Sequence, residues 1–345
     1  MPSALPVRSM VGPPPRMPVA LLIAAACALP FLLGDYRVFQ LTLVIVHAIA
    51  LLGLNLLTGY AGQISLGHGA FYAVGAYTTA ILMEHFGVPY WLTIPMAGAV
   101  CLAAGVLFGL CASRLENLYL ALATFGLGVS LPQILKYKHI EHWTGGVQGI
   151  TLAKPTAPSG IPLSPDQWLY FLVLLVMIVL FAGAHNLLRG HAGRIMVAIR
   201  DCPIAARAMG IDAARYKSLT FGVSAMYTGI AGALGSMAVQ FVGPDSFSFF
   251  LSLSFLVGIV VGGISTISGA IYGALFIQFV PNVAGDISKA APSAIYGAFL
   301  IAVVYAMPHG VAGAVETVVR RLRAVGAEPR RATDHRDSHP RRNCA

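Results

Sequence analysis

The 345-residue chain is 57% hydrophobic and only 10% charged, whereas charged residues make up about a quarter of a soluble globular domain. Repeated apolar runs approach the roughly 20 residues that a helix needs to cross a bilayer. This composition excludes a soluble domain and predicts an all-α, polytopic transmembrane helical bundle. The formal charge of +9 does not indicate nucleic-acid binding, because most basic residues fall in two segments that flank predicted spans.

The apolar runs divide the chain into about ten predicted spans. We expect a disordered cytoplasmic leader over residues 1–18, a transmembrane region over 19–315 and a basic, disordered cytoplasmic tail over 316–345. The first run resembles a signal peptide, but it leads straight into more membrane sequence, so we expect it to be retained. The predicted spans cover residues 19–33, 38–57, a third run that ends near 85, 92–112, 118–135, 168–188, 218–242, 249–261, 270–283 and 293–307.

The distribution of basic residues predicts the orientation of these spans. An even number of spans places both ends of the chain on the same side of the membrane. With both ends inside, 17 of the 22 Lys and Arg residues lie inside and five lie outside. Since cytoplasmic loops carry an excess of Lys and Arg, this split predicts cytoplasmic termini.

The stretch of residues 54–71, LNLLTGYAGQISLGHGAF, is unlike an ordinary membrane span. It combines Asn55, Thr58, Gln63, Ser65 and His68 with four glycines, a mixture that a lipid-facing helix would not carry. Irregular backbone at membrane depth is tolerated only inside protein or beside a water-filled cavity. Two interpretations stay open: the lining of a solute pathway formed by an interrupted helix, and a glycine-rich packing surface with self-satisfied polar groups.

The candidate pathway residues differ in how they fit these interpretations. Gln63, Ser65 and His68 are the main candidates, and a buried neutral imidazole bonded to a backbone carbonyl is the alternative for His68. Asn55 suits a bridge between helices as well as a pathway. Thr124 is the fifth candidate, although a threonine often bonds to its own helix. It lies in the fifth predicted span, where glycines and a proline predict a broken or kinked helix.

The basic segment 189–217 is too polar to span a membrane but is patterned like a short helix. Asp201 is suited to cap that helix, Pro203 is tolerated in its first turn, and Gly210 can end it in the left-handed conformation. Such a helix can act as a lever for a soluble partner. The alternative is a helix in the membrane interface, with its arginines on anionic lipid.

The seventh predicted span carries small residues on one helix face. Gly222, Gly229 and Gly232 fall at spacings of three and four with Ala225 and Ser236. Helices in lipid associate through such small residues, which let two backbones approach closely. We therefore expect these three glycines to pack against neighbouring helices.

The sequence predicts no catalytic site, metal site or cofactor. His139 and His142 lack further ligands at suitable spacing, and the five cysteines are scattered along the chain. The chain has no Gly-x-x-x-x-Gly-Lys-Ser/Thr loop for nucleotide phosphates and no nucleophile–base pair. We expect a transport subunit rather than an enzyme.

A series of short motifs runs through the chain in a fixed order between about residues 38 and 315. The motifs are the stretch 54–71, GAYT (75–78), LYLA (118–121), TGGVQG (144–149), GRIMVAIRD (193–201), AA (205–206), GI (210–211), YK (216–217), SA (224–225), GIAGAL (229–234), PDSF (244–247) and GGIST (262–266). In this order they resemble the permease subunits of branched-chain amino acid ABC importers of the LivM kind.

The resemblance implies a function, a location and partners. It implies a permease that forms the pathway of an ATP-driven importer in the bacterial inner (plasma) membrane, surrounded by membrane lipid. It implies a second related permease subunit, two cytoplasmic ATPase subunits and a periplasmic solute-binding protein. It also implies that the basic segment contacts the ATPases, with the coupling residues Arg200, Asp201, Ala205, Ala206, Arg207 and Gly210.

The chain departs from the family pattern at two places, and other functions stay open. Cys202-Pro203 stands where many relatives have Asn-Glu, and Val129 stands where many have a polar or acidic residue. The same family includes importers of urea and short amides. A stand-alone secondary transporter or channel is the alternative from another class, but Glu84, close to the outer end of its span, is the one acidic residue within a predicted span. A membrane scaffold fits the polar, glycine-rich stretch poorly.

Overall fold

A computed structural model describes residues 16–112, 117–157, 163–287, 297, 299–303, 305, 307 and 310–325. These residues are mostly helical. The helices are α1 (Arg16–Leu32), α2 (Asp35–Asn55), α3 (His68–Glu84), α4 (Tyr90–Ala112), α5 (Asn117–Leu135), the short α6 (Glu141–Thr144), α7 (Pro165–Arg189), α8 (His191–Asp201), α9 (Pro203–Ala208), α10 (Ala213–Val239), α11 (Phe249–Gly262), α12 (Ile267–Ile287) and α13 (Gly310–Val325).

Within the described residues, five helical segments are long and apolar enough to cross a membrane. They are Asp35–Tyr60, Tyr90–Ala112, Leu118–Leu135, Pro165–Arg189 and Ala213–Val239, and three shorter apolar helices accompany them. The helical, multi-pass architecture predicted from composition is confirmed. The count of ten spans remains a prediction, because most of the tenth, like the first 15 residues of the leader, lies outside the described part of the chain.

The centre of the bundle is α10, which packs against α2, α3 and α4. In the 18-residue apolar stretch of α10, 83% of the residues are buried, compared with 22% in α7 and 28% in α5. Helices in lipid gain nothing from burying apolar surface against one another, so close contact between small side chains must hold a central helix. α10 supplies such side chains along the face that meets α3 and α4.

The three predicted packing glycines each face a neighbouring helix at very short range. A Cβ atom at Gly222 would overlap Val106 of α4, and one at Gly229 would overlap Cys101 of the same helix. A Cβ atom at Gly232 would overlap the carbonyl of Tyr72 in α3. The face of small residues therefore lies in the groove between α3 and α4.

Three local expectations differ from the structure. α5 is a continuous helix that contains Pro132, so of the two expected forms, broken or kinked, the broken one is excluded. Asp201 does not cap the short helix: it is the last residue of α8, and Cys202 precedes α9, because Pro203 begins the new helix. The C-terminal helix α13 reaches Val325, ten residues into the stretch expected to be disordered, because residues 310–325 carry an amphipathic pattern.

The connections beyond α5 and α10 meet at the same end of the bundle. Strand β1 (Ile150–Thr151) pairs antiparallel with β2 (Phe241–Val242). In the same region, Nζ of Lys136 lies 2.5 Å from Oδ1 of Asp245, so the two side chains form an ion pair. Two-residue strands carry no periodic pattern, so the sequence did not reveal this pairing.

Candidate functional site

The irregular segment between α2 and α3, called the helix break below, is the centre of the candidate site. α2 ends at Asn55, a π-helical turn covers Leu56–Tyr60, and regular structure resumes only at His68. Gly62 lies in this break with a φ of +69°, a conformation that residues with a side chain rarely adopt. The irregular backbone that the first interpretation requires is present.

Asn55 joins the break to the linker between α11 and α12. Its Nδ2 atom donates a hydrogen bond to the carbonyl of Thr266 at 2.7 Å, and its Oδ1 atom accepts one from the backbone N–H of Ser265 at 2.9 Å. The Ser265 hydroxyl donates in turn to the carbonyl of Gly59 at 2.7 Å. Ser265 has a φ of +64°, so these bonds hold a residue in an unfavourable backbone conformation.

His68 is completely buried and bonded on both ring nitrogens. Its Nδ1 atom lies 2.9 Å from the hydroxyl of Ser65, and its Nε2 atom lies 2.7 Å from the hydroxyl of Ser224 in α10. The Ser224 hydroxyl donates to the carbonyl of Gly53 at 2.6 Å, so it accepts from the N–H at Nε2. A neutral ring with its hydrogen on Nε2 satisfies the whole chain of bonds.

Side chains from α5 and α11 bind the backbone at the beginning of α3. Thr124 accepts a hydrogen bond from the N–H of Leu66 at 3.0 Å and donates to the carbonyl of Ala121 in its own helix. The Ser252 hydroxyl accepts from the N–H of Gly69 at 2.9 Å. Ser252 thus satisfies one of the N–H groups that a helix start leaves without an intrahelical partner, and Thr124 binds the irregular backbone just before that start.

Gln63 is buried in the break with one polar group unpaired. Its backbone carbonyl accepts a hydrogen bond from the Thr58 hydroxyl at 3.1 Å. Its side-chain Nε2 atom has no partner among the described residues. A buried unpaired donor is rare in folded proteins and points to an additional interaction at this position.

The structure thus brings all five pathway candidates to the helix break. The side chains are buried within the chain, and four of them bond to neighbouring helices, to the 263–266 linker or to the break itself. The interrupted backbone matches the first sequence-based interpretation. The bonding of Asn55, Ser65, His68 and Thr124 matches the second, in which polar groups satisfy one another. The alternative for His68 was a buried neutral imidazole bonded to a backbone carbonyl. The ring is instead bonded directly to the hydroxyl groups of Ser65 and Ser224.

The six predicted coupling residues do not share one surface. Asp201, Ala205, Arg207 and Gly210 are exposed on and around α9, and Gly210 has a φ of +79°, as expected for a residue that ends a helix. Ala206 is buried among apolar side chains of α8 and α10. Arg200 points away from α9, toward the helix break.

Sequence reasoning missed several residues at the helix break and on the exposed surface around α9. Ser224, Ser252 and Ser265 supply the bonds that hold the break, but small polar residues scattered over three segments give no local pattern. Ile204 and Met209 are large apolar residues of the basic segment that are 74% and 82% exposed. Two exposed apolar residues in a polar segment are a recognisable sign of a binding surface.

Among the described residues, no group of three or more His, Cys, Asp or Glu side chains is placed to hold a metal ion. The His139 ring stacks on Tyr137. The His142 ring contacts His85 and Trp143 instead. The two histidines of the HIEH sequence therefore belong to separate aromatic contacts.

Comparison with known proteins gives a consistent set of relatives. Residues 36–307 match a family described as the permease component of branched-chain amino acid transport systems. The chain is 32% identical to the high-affinity branched-chain amino acid transport permease LivM of Salmonella typhimurium, over 84% of this chain and 73% of the relative. It is 32% identical to LivM of Escherichia coli, over 85% and 73%, and 24% identical to BraD of Pseudomonas aeruginosa, over 78% and 92%. No solved structure matches the chain.

Proposed function

Because the chain belongs to the family of permease components of branched-chain amino acid transport systems, we propose that it forms part of the membrane pathway of an ATP-driven importer. The solute is a branched-chain or related amino acid, as the names of the relatives suggest. The family match extends from the first turn of α2 to residue 307, so it includes the helix break and the basic segment.

The helix break carries this proposal. A backbone without regular hydrogen bonds is tolerated at membrane depth only where protein or a water-filled cavity surrounds it. Side chains from α5, α10, α11 and the 263–266 linker hold the break between Leu56 and His68. Within it, the Ile64 side chain is exposed on the molecular surface. In our account the buried polar residues position this backbone, and the solute moves past its exposed side.

The proposed partners follow from the same family and from the surface of α9. The complex has two ATPase subunits, and we place one of them against α9, where Ile204, Met209 and Arg207 are exposed. A second related permease completes the pathway, and a periplasmic binding protein delivers the solute. Hydrophobic residues with an adjacent cation match the composition of protein interfaces, in which methionine and arginine are enriched.

We place the protein in the bacterial inner membrane, with both termini in the cytoplasm. This orientation puts the basic segment 189–217 and the basic C-terminal residues on the ATPase side. The excess of Lys and Arg on that side supports it.

Uptake by a reconstituted complex tests the function. The chain, a related permease, the ATPase subunits and the binding protein are placed in liposomes, and entry of radiolabelled leucine is measured with and without ATP. We expect ATP-dependent uptake that unlabelled isoleucine and valine inhibit and urea does not. A complex whose ATPase lacks its phosphate-binding lysine is the control. Leucine uptake that persists in that control would indicate a secondary transporter, and inhibition by urea would indicate the amide-importing alternative.

A further inference from the structure

Arg200 is the one predicted coupling residue whose side chain reaches the helix break. Its Nη1 atom donates to the carbonyl of Gly59 at 2.8 Å and to the hydroxyl of Ser265 at 3.3 Å. Its Nε atom donates to the carboxylate of Asp201 at 3.0 Å. The guanidinium group therefore binds the π-helical turn, the 263–266 linker and the end of α8 at the same time.

The Gly59 carbonyl is a shared acceptor in this arrangement. It accepts hydrogen bonds from both Arg200 and the Ser265 hydroxyl, which uses the two lone pairs of a carbonyl oxygen. The aliphatic part of the Arg200 side chain fills the space beside Gly62, where a Cβ atom would lie 2.5 Å from Cγ of Arg200. The break is thus shaped around this side chain by both polar and steric contacts.

Arg200 is also connected to the exposed helix α9 through packed apolar side chains. Ile195 and Ile199 of α8 pack with Ala206 of α9 and Ala213 of α10 in a separate apolar cluster. Ile199 directly precedes Arg200 in the chain. This packing gives α9 a direct contact with α8, the helix that carries the guanidinium group bonded to the Gly59 carbonyl.

We propose that Arg200 is a positioning residue that transmits movement of α9 to the helix break, rather than a residue that contacts the ATPase. This inference rests on the proposed function, because it takes α9 as the ATPase-binding surface. Lysine cannot replace arginine in this role, since a single ammonium group lacks the planar set of donors that reaches Gly59, Ser265 and Asp201 together. A substitution of Arg200 is therefore expected to abolish transport while the ATPase stays bound.

The test uses the full complex of both permeases, the ATPase subunits and the binding protein. Arg200→Gln is compared with Arg194→Gln, the same change at an exposed position of α8. We expect the Arg200→Gln complex to retain wild-type ATPase stoichiometry, to lose stimulation of ATP hydrolysis by the solute-loaded binding protein, and to transport at least tenfold more slowly. The Arg194→Gln complex is expected to match the wild type in all three measurements.

Two results would overturn the inference. Loss of the ATPase subunits from Arg200→Gln would show that the residue forms part of the docking surface, and wild-type uptake would show that the contact transmits nothing.

Arg200→Lys keeps the charge and gives a second measurement if Arg200→Gln does not accumulate. It is expected to retain the ATPase and to lose most uptake, and wild-type uptake by Arg200→Lys would contradict the proposal. If instead the wild-type chain fails to bind any ATPase, the proposed function fails, independently of Arg200.

Discussion

The Nε2 atom of His68 lies 2.7 Å from the hydroxyl oxygen of Ser224, although 156 positions separate the two residues in the chain. This bond joins the first residue of α3 to the middle of the central helix α10. Through the Ser224 hydroxyl it also reaches the carbonyl of Gly53 in α2. One imidazole ring therefore connects the helices on both sides of the break to the core of the bundle.

Replacement of Ser224 tests the stabilising role of this bond. Ser224→Ala leaves the N–H of the buried His68 ring without an acceptor, which costs about 1–3 kcal/mol. We expect a lower melting temperature of the purified protein, measured by the fluorescence of a thiol-reactive dye. Ser254→Ala is the matched control, because the Ser254 hydroxyl bonds to its own helix at Phe250. Equal melting temperatures for the two variants would contradict the assigned role.

Loss of the Asn55 amide is expected to loosen the 263–266 linker. Asn55→Ala removes the bonds to Ser265 and Thr266, which hold Ser265 at a positive φ. In a cysteine-free chain that carries Ile264→Cys, we expect severalfold faster labelling by a membrane-impermeant thiol reagent. Gln40→Ala removes an amide from the same helix that bonds only to Tyr36 in the described structure, and it is expected to leave the labelling rate unchanged. No difference between the two would argue against the linkage.

The packing of α10 predicts an order of severity among glycine substitutions. A Cβ atom at Gly232 would meet the backbone of Tyr72, which cannot move without its helix, whereas one at Gly222 would first meet the Val106 side chain. Overfilling a packed core costs about 1–3 kcal/mol. We expect Gly232→Ala to lower the yield of folded protein in size-exclusion chromatography more than Gly222→Ala does.

Gly126→Ala is the control for this series, because no atom lies within 4 Å of the position of its Cβ. It is expected to give the wild-type yield. A Gly232→Ala variant that matches Gly126→Ala would show that α3 and α10 are further apart than the structure has them.

The exposed apolar residues of α9 predict the effect of surface charge on ATPase binding. Ile204→Asp combined with Met209→Asp replaces two large apolar contacts with charges that an interface would have to desolvate. We expect at least a tenfold loss of co-purified ATPase at an unchanged level of the permease in the membrane. Arg207→Glu is expected to weaken binding in the same direction. Retention of the ATPase by the double variant would exclude α9 as the docking surface.

Sequence reasoning located the irregular stretch but not the contacts that hold it. Four glycines and five polar residues within 18 positions cannot form a lipid-facing helix, so an interrupted helix was one of the two interpretations that the composition left open. The direction of each side chain did not follow, because residues 61–67 have no regular period that assigns a face. The bonds of His68 to Ser224 and of Asn55 to Ser265 join residues more than 150 positions apart, and nothing in their immediate neighbours indicates such a pairing.

The basic segment 189–217 likewise combines a feature set by nearby residues, which could be predicted, with a contact between residues far apart in sequence, which could not. Pro203 and Gly210 act through local backbone conformation, so the short helix between them was predictable. The direction of Arg200 depends on the Gly59 carbonyl, which lies in the last helical turn before the break, where carbonyls lack intrahelical donors. A residue grouped with the ATPase contacts by sequence therefore faces the membrane helix in the structure.

If this chain works as a permease subunit driven by a separate ATPase, the ATPase is bound to it in the membrane, and co-purification detects that association. The tagged chain is extracted gently from its native membrane, and the bound proteins are identified by mass spectrometry. Our account predicts a second, related permease together with an ATPase subunit. A chain that is isolated alone, folded and able to transport solute without ATP would contradict the account.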